Sequence, residues 1–180
     1  MNANEAPQIS VVFSADTIDQ RVHKLAGEIA EAGMHNLLVV AVLKGSFIFA
    51  ADLLRALHEV GLAPEVDFIT LSSYRRSTQS SGQVEVLRDI DVDVQGRHVL
   101  LVDDILESGR TLAFAKDLIS ARGAADIKTC VLLKKPSVRV VDVDADFHAF
   151  DCPDVFVVGY GMDVAYRYRQ LPFVGQVIHD

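Results

Sequence analysis

Positive charge is in short supply in this chain. Lys and Arg together number 17 against 25 Asp and Glu in 180 residues, a formal net charge of −8. That deficit argues against nucleic acid as the principal partner, because non-specific affinity for it comes from neutralising phosphates with Lys and Arg. Cysteine is scarce too. Cys130 and Cys152 stand in neither a metal-ligating nor a redox spacing, which predicts reduced thiols in a reducing compartment, with Cys130 packed inside. No apolar run reaches the roughly 18 residues that a membrane span needs. The opening Met1-Asn2-Ala3-Asn4-Glu5-Ala6-Pro7 lacks the basic and apolar regions of a secretory signal. A cytoplasmic protein with no membrane partner is therefore expected. Low-complexity tracts and solenoid-like repeats are absent as well. With 50% apolar and 23% charged residues, the composition is that of a globular enzyme, and the length predicts one domain over 1–180.

What the chain does have is one stretch ordered as strand, turn and helix. Val99-Leu100-Leu101-Val102 is a continuous apolar run too short for a free-standing helix, the pattern of a strand buried on both faces. Asp103 and Asp104 end it. The turn Glu107-Ser108-Gly109-Arg110-Thr111 follows, and then Leu112, Ala115, Leu118 and Ile119 recur at helical spacing. The N–H groups of a helix's first turn have no intrahelical partner and sit at the positive end of its dipole, so this glycine-containing turn is a candidate phosphate cradle. Adjacent carboxylates at a strand's carboxyl end are candidates for ribose hydroxyls or a hard divalent cation. A sugar phosphate satisfies both demands. On spacing alone the plainer reading stays open: the aspartates cap the helix and Gly109 turns the chain.

Elsewhere, residues 9–13 read as a short strand, and Ser14 or Asp16 caps a helix that carries Ile18, Val22, Leu25 and Ile29 as far as Gly33. Residues 37–43 form a second buried strand and 47–60 a helix stopped by Gly61. Between them Lys44-Gly45-Ser46 offers a second strand-to-helix turn, either a phosphate cradle or only a turn. Residues 66–71 and 83–87 alternate like strands around an aperiodic polar stretch that begins near Ser73 and Tyr74. This predicts a hairpin with a long flexible loop, either a lid over phosphates or a solvated tip. Residues 127–133 are another buried strand ending at Lys134 and Lys135, and 138–143 a further short one. Asp142, Asp144 and Asp146 alternate like a calcium loop but lack its glycine and terminal glutamate, so a solvated acidic edge is expected. A strand and glycine-relaxed backbone occupy 156–163; by pattern alone Phe156 is core and Arg169 is surface. Together these elements predict an α/β fold, a mainly parallel central sheet flanked by helices on both faces.

The run from Val99 through Asp103, Asp104, Glu107, Ser108, Gly109, Arg110 and Thr111 to Leu112 resembles the phosphoribosyl pyrophosphate signature of the type I phosphoribosyltransferase family. From about Ile9 to Val177 the chain is similar to the family's hypoxanthine(-guanine) branch. The resemblance implies a core over about 9–160 and a small hood made of about 161–180 with N-terminal residues. It implies that Asp103 and Asp104 hold the ribose and that Glu107, Ser108, Gly109, Arg110 and Thr111 hold the 5′-phosphate. Lys44, Gly45 and Arg169 would bind pyrophosphate, with a strained cis peptide at Lys44-Gly45. Asp163, with Asp103 and Asp104, would hold Mg2+.

Where the family usually has Asp-Thr-Gly this chain has Glu107-Ser108-Gly109. The family's aspartate is the proposed acid or base at purine N7, and the resemblance hands that catalytic role to Glu107. It assigns Lys134 to the exocyclic oxygen at purine C6, a donor that favours an oxo over an amino group. Phe156 would stack on the purine, Val157 would offer backbone groups to its edge, and Ser73-Tyr74 would belong to a mobile loop that shuts out water. The implied substrates are small molecules, phosphoribosyl pyrophosphate and a 6-oxopurine base, and the implied assembly is a homodimer or homotetramer. The implied activity is transfer of the phosphoribosyl group to N9 of hypoxanthine or guanine in purine salvage. Three readings compete: a regulator of the same fold that binds nucleotide or RNA, a transferase for adenine, xanthine or a pyrimidine, and a phospho-acceptor using the acid pair.

Overall fold

The structure, a computed structural model, describes residues 8–73, 84–135 and 139–178. Strand β1 (Gln8–Phe13) leads into helix α1 (Ala15–Glu31), capped by Ser14, whose Oγ accepts the Thr17 N–H at 3.2 Å. Ile18, Val22, Leu25, Ala26 and Ile29 recur every three or four residues and form its buried stripe. Next come β2 (Leu37–Leu43), α2 (Phe47–Glu59) and the hairpin of β3 (Glu65–Ser73) and β4 (Val84–Arg88). The central stretch forms β5 (His98–Leu106) and α3 (Arg110–Ala121). The chain finishes with β6 (Asp126–Lys134), β7 (Phe147–Asp151), β8 (Val157–Val158) and β9 (Val174–Ile178).

Six strands make the main sheet in the order β4-β3-β2-β5-β6-β7, parallel throughout except for the antiparallel β3–β4 pair. Strand β2 shows how it is built. Leu37, Val39 and Ala41 join the core beneath α1 and α2, while Leu38, Val40 and Val42 join the one beneath α3. A strand's side chains alternate between faces, so only an all-apolar run fits between two helical layers. The β2–α2–β3 connection runs one way across the sheet and β5–α3–β6 runs the other. The reversal falls between β2 and β5, and ligands of open α/β sheets bind at the carboxyl ends of the strands at such a point.

A second, three-stranded antiparallel sheet, β1-β9-β8, joins the N-terminal strand to the C-terminal one. Its β1 is tied to the main sheet through Phe13, whose ring stacks on Phe150 of β7 at 4.3 Å between centroids. Cys130 and Cys152 are buried free thiols. No helix among the described residues is long and apolar enough to cross a membrane.

Two expectations change. Of the strand expected at 138–143, residue 138 lies outside the described residues and 139–143 is irregular. Its Val140 and Val141 N–H groups donate to the Ser108 carbonyl at 2.9 and 3.1 Å instead of to a neighbouring strand. The seventh strand lies just downstream, at Phe147–Asp151. The acidic alternation is a solvated edge at Asp142 and Asp144, both exposed, while Asp146 turns inward to accept the N–H and hydroxyl of Thr129. Ser73 is the last residue of β3 and pairs with Val84, whereas Tyr74 and the rest of the loop to residue 83 lie outside the described residues.

Candidate functional site

A cleft of about 650 Å³ opens at the carboxyl ends of β2, β3 and β5, where the sheet reverses. The turn after β2 brings Lys44 and Gly45, β5 and its exit bring Asp104 and Glu107, and the later chain brings Phe156, Val157, Asp163 and Arg169. Residues more than a hundred positions apart in sequence thus converge on one cavity.

Its floor is the contact between the turn after β2 and strand β5. A Cβ built on Gly45 would lie 1.8 Å from Asp104 Oδ2, so the absence of a side chain at 45 is what lets the acid reach this position. The cis peptide is Leu43–Lys44, one bond earlier than the expected Lys44-Gly45. It sits where β2 ends, and Gly45 answers a different need, the close approach of Asp104.

Asp103 lies beneath Asp104, only 7% exposed, and its Oδ1 accepts the Asp104 N–H at 2.9 Å. Asp104 Oδ1 in turn accepts the Ile105 N–H at 2.9 Å. Burial, and then the neighbouring Asp104 charge, push the Asp103 carboxyl well above the usual carboxylate range. Burial raises Asp104 as well, opposed by its hydrogen bonds and by the Arg169 guanidinium. Asp104 lines the cleft and Asp103 is buried behind it, outside the lining; two carboxyls this close favour whatever brings hydroxyl donors or a cation to them.

The turn after β5 is shaped by Gly109, left-handed at φ 84°, where a Cβ would come within 2.8 Å of Val143 Cγ1 and 3.0 Å of the Val141 carbonyl. The segment 139–143 grips this turn by its carbonyls: Ser108 O takes two N–H groups, and Glu107 O takes Arg139 Nε at 3.4 Å. Arg110 and Thr111 open α3 on the other side, and the N–H groups of a first helical turn have no partner within the helix. The anion cradle expected from the sequence therefore has the required backbone order.

The two neighbouring lysines at the end of β6 are placed differently from the expectation. Lys134, expected in the site, instead donates Nζ to Asp144 at 2.8 Å. Lys135 is the one that lines the cleft, 5% exposed, with Nζ 3.4 Å from Glu107 Oε1. Successive side chains leave a strand end on opposite sides, so a shift of one residue exchanges an outward lysine for an inward one. Across the cleft, Arg169 Nη1 donates to the Gly161 carbonyl at 2.7 Å, and its Nη2 lies 2.7 Å from Asp163 Oδ1. The sequence reading also left out Tyr166, which lines the mouth and is 78% exposed in left-handed backbone. No periodicity marks it.

Hard carboxylate oxygens from Asp104 and Asp163 face the same cavity. Among the described residues, no group of three or more His, Cys, Asp or Glu is arranged to hold a metal unaided. That donor set fits magnesium, which is held by one or two carboxylates together with substrate phosphates and waters, not by an all-protein cage.

The phosphoribosyl transferase domain family matches residues 14–165 of the chain. A hypoxanthine phosphoribosyltransferase of Escherichia coli (strain K12) is 42% identical over 173 residues, covering 94% of this chain and 96% of the relative. The crystal structure of a hypoxanthine-guanine phosphoribosyltransferase from Bacillus anthracis is similar at a TM-score of 0.87 and 41% identity, covering 96% of this chain and all of that one. A hypoxanthine phosphoribosyl transferase structure from Trypanosoma cruzi, solved in a study of how its C-terminal region affects oligomeric state and activity, has a TM-score of 0.89 at 35% identity. It covers 99% of this chain and 95% of that one.

Proposed function

The chain belongs to the phosphoribosyl transferase family, in its hypoxanthine-guanine branch, and on that premise we propose how its residues carry out purine salvage. The enzyme transfers the 5-phosphoribosyl group of phosphoribosyl pyrophosphate to N9 of hypoxanthine or guanine, giving the 5′-mononucleotide and pyrophosphate. The observation that carries this reading is the contact of Gly45 with Asp104, which sets the glycine turn after β2 against an acid of β5 inside the cleft.

Asp103 and Asp104 accept the ribose hydroxyls, and the turn from Glu107 through Ser108, Gly109, Arg110 and Thr111 takes the 5′-phosphate on first-turn N–H groups of α3. The N9–C1 bond forms as the C1–oxygen bond breaks, its electron pair leaving with pyrophosphate. Positive charge grows on the ribose ring and negative charge on the leaving group, and Lys44 and Arg169 meet the latter. Glu107 takes the N7 proton as N9 attacks. Lys135 donates to the oxygen at purine C6, a choice supported by its position beside Glu107. Phe156, half-exposed at the cleft, stacks on the base, and Val157 meets its edge. Magnesium bound by Asp163, Asp103 and Asp104 with the substrate phosphates would neutralise charge on the departing pyrophosphate.

We infer further that residues 1–180 act as one domain in the cytoplasm, supported by two buried free thiols of the kind kept in reducing compartments. A homodimer or homotetramer is the proposed assembly, supported by the Trypanosoma cruzi relative, whose C-terminal region was studied for its effect on oligomeric state.

The test is to mix the protein with magnesium, phosphoribosyl pyrophosphate and, in turn, hypoxanthine, guanine, xanthine and adenine, following the mononucleotide by absorbance. Turnover with hypoxanthine or guanine and little with adenine is the expected result. No turnover with either 6-oxopurine overturns the reading.

A further inference from the structure

The turn Gly159-Tyr160-Gly161, just past β8, is left-handed at all three residues, with φ of 94°, 47° and 102°. Two are glycines, for which this region is open; Tyr160 needs its surroundings to hold it there. Its backbone N–H donates to Leu171 O at 2.9 Å, and its ring is buried, 6% exposed. The phenol hydroxyl reaches away from the cleft and donates to Asp52 Oδ2 on α2 at 2.5 Å. Asp52 Oδ1 also accepts Arg55, one turn further along the same helix.

Both ends of this bond govern the cleft. Helix α2 starts immediately after Lys44-Gly45-Ser46, so its position sets that of the cation and of Gly45. Gly161, next to Tyr160, is pressed against the same loop: a Cβ there would be 2.2 Å from the Gly45 carbonyl. Gly161 also accepts Arg169 Nη1 through its carbonyl, and its N–H donates to the Arg169 carbonyl at 3.0 Å. One bond therefore joins the element that carries Lys44 to the turn that seats Arg169.

We propose that Tyr160 and Asp52 are positioning residues whose phenol–carboxylate bond, outside the cleft, fixes the spacing between Lys44 and Arg169 and so the grip on the pyrophosphate moiety. The proposal rests on the reading of this cleft as a phosphoribosyl pyrophosphate site. Neither residue touches the purine side, where Lys135, Glu107 and Phe156 lie, so the effect falls on one substrate. Loosening the bond lets the two cations drift apart, which weakens binding of phosphoribosyl pyrophosphate and of product pyrophosphate alike.

Steady-state kinetics on the magnesium-supplied enzyme test it with Tyr160→Phe, Asp52→Ala, their combination, and Asp52→Asn, whose amide oxygen still accepts the phenol. Tyr160→Phe and Asp52→Ala are expected to raise KM for phosphoribosyl pyrophosphate and the inhibition constant of pyrophosphate about tenfold. KM for hypoxanthine should stay within about twofold, the double variant should be no worse than either single one, and Asp52→Asn should stay close to the parent. Unchanged KM for phosphoribosyl pyrophosphate, an equal rise for both substrates, or additive losses overturn the proposal. Should Tyr160→Phe fail to fold, Asp52→Ala against Asp52→Asn still decides. A parent enzyme inert with every base would instead overturn the assignment of the cleft.

Discussion

Gly45, in the turn after β2, and Asp104, in strand β5, compete for one space: a Cβ on the glycine would fall 1.8 Å from the Asp104 Oδ2 atom. This locates the cost of Gly45→Ala. Asp104 is short but its carboxylate can swing aside, so the added methyl displaces the acid and leaves the sheet intact. We expect a Tm shift smaller than about 4 °C, corresponding to roughly 1–2 kcal/mol in a chain of this size. KM for phosphoribosyl pyrophosphate should meanwhile rise more than about tenfold, equivalent to about 1.4 kcal/mol of lost contact. Calorimetry beside kinetics checks both. A large fall in Tm would mean that Gly45 holds the fold, not the site.

Lys134 and Lys135 are neighbours with opposite environments. The Lys134–Asp144 pair sits at the surface, with the Asp144 side chain 63% exposed, and Lys134 holds that carboxyl below the usual range. Exposed pairs contribute about 0–1 kcal/mol, so Lys134→Met should be nearly silent in both stability and kinetics. Lys135→Met removes a buried donor next to Glu107. Hydrogen bonds to charged groups contribute about 1.5–3 kcal/mol, so KM for hypoxanthine should rise roughly tenfold to a hundredfold, with weaker discrimination against adenine. The reverse pattern would restore Lys134 to the site.

Glu107→Gln keeps an oxygen that Lys135 can donate to, but it removes the carboxylate proposed to take the purine N7 proton. We expect turnover to fall at least about tenfold, a modest threshold beside the roughly hundredfold or more that general acid–base catalysis contributes. Near-normal turnover would take Glu107 out of the proton transfer.

Much of the layout was legible because local pattern and tertiary role agree. The all-apolar runs of β2 and β5 can only sit between helical layers, and the glycine turn after Asp103-Asp104 sits where an open sheet reverses. What escaped was register and company. Lys134 and Lys135 are alike in type, and only the alternation at the end of β6 tells which one turns inward. The strand β7, Phe147-His148-Ala149-Phe150-Asp151, alternates poorly because its apolar residues answer to different neighbours. Phe150 stacks on Phe13, while the His148 and Ala149 carbonyls accept Arg21. The Tyr160–Asp52 bond spans more than a hundred residues, and no periodicity announces such a contact.

Asp103 is where the needs of the site oppose those of the fold. Its carboxyl is held well above the usual range, first by burial and second by the charge of Asp104. Because its folded pKa exceeds its unfolded one, the folded chain binds more protons between the two values. The associated stability is fully present below the unfolded pKa, near about 3.9, and is lost as pH rises through the folded pKa. At neutral pH the unliganded protein therefore lacks stability that this buried acid contributes at low pH. Asp103→Asn keeps the shape and an oxygen for the Asp104 N–H, yet never ionises. Its Tm at pH 7 should exceed the parent's by about 2–4 °C for each kcal/mol relieved, and the difference should shrink toward zero as pH falls to about 4. The same variant should use phosphoribosyl pyrophosphate poorly, since the lost carboxylate is one proposed to accept the ribose hydroxyls. Thermal unfolding of both proteins across this pH range checks it, and an Asn variant less stable than the parent at pH 7 would show that Asp103 supports the fold through its charge.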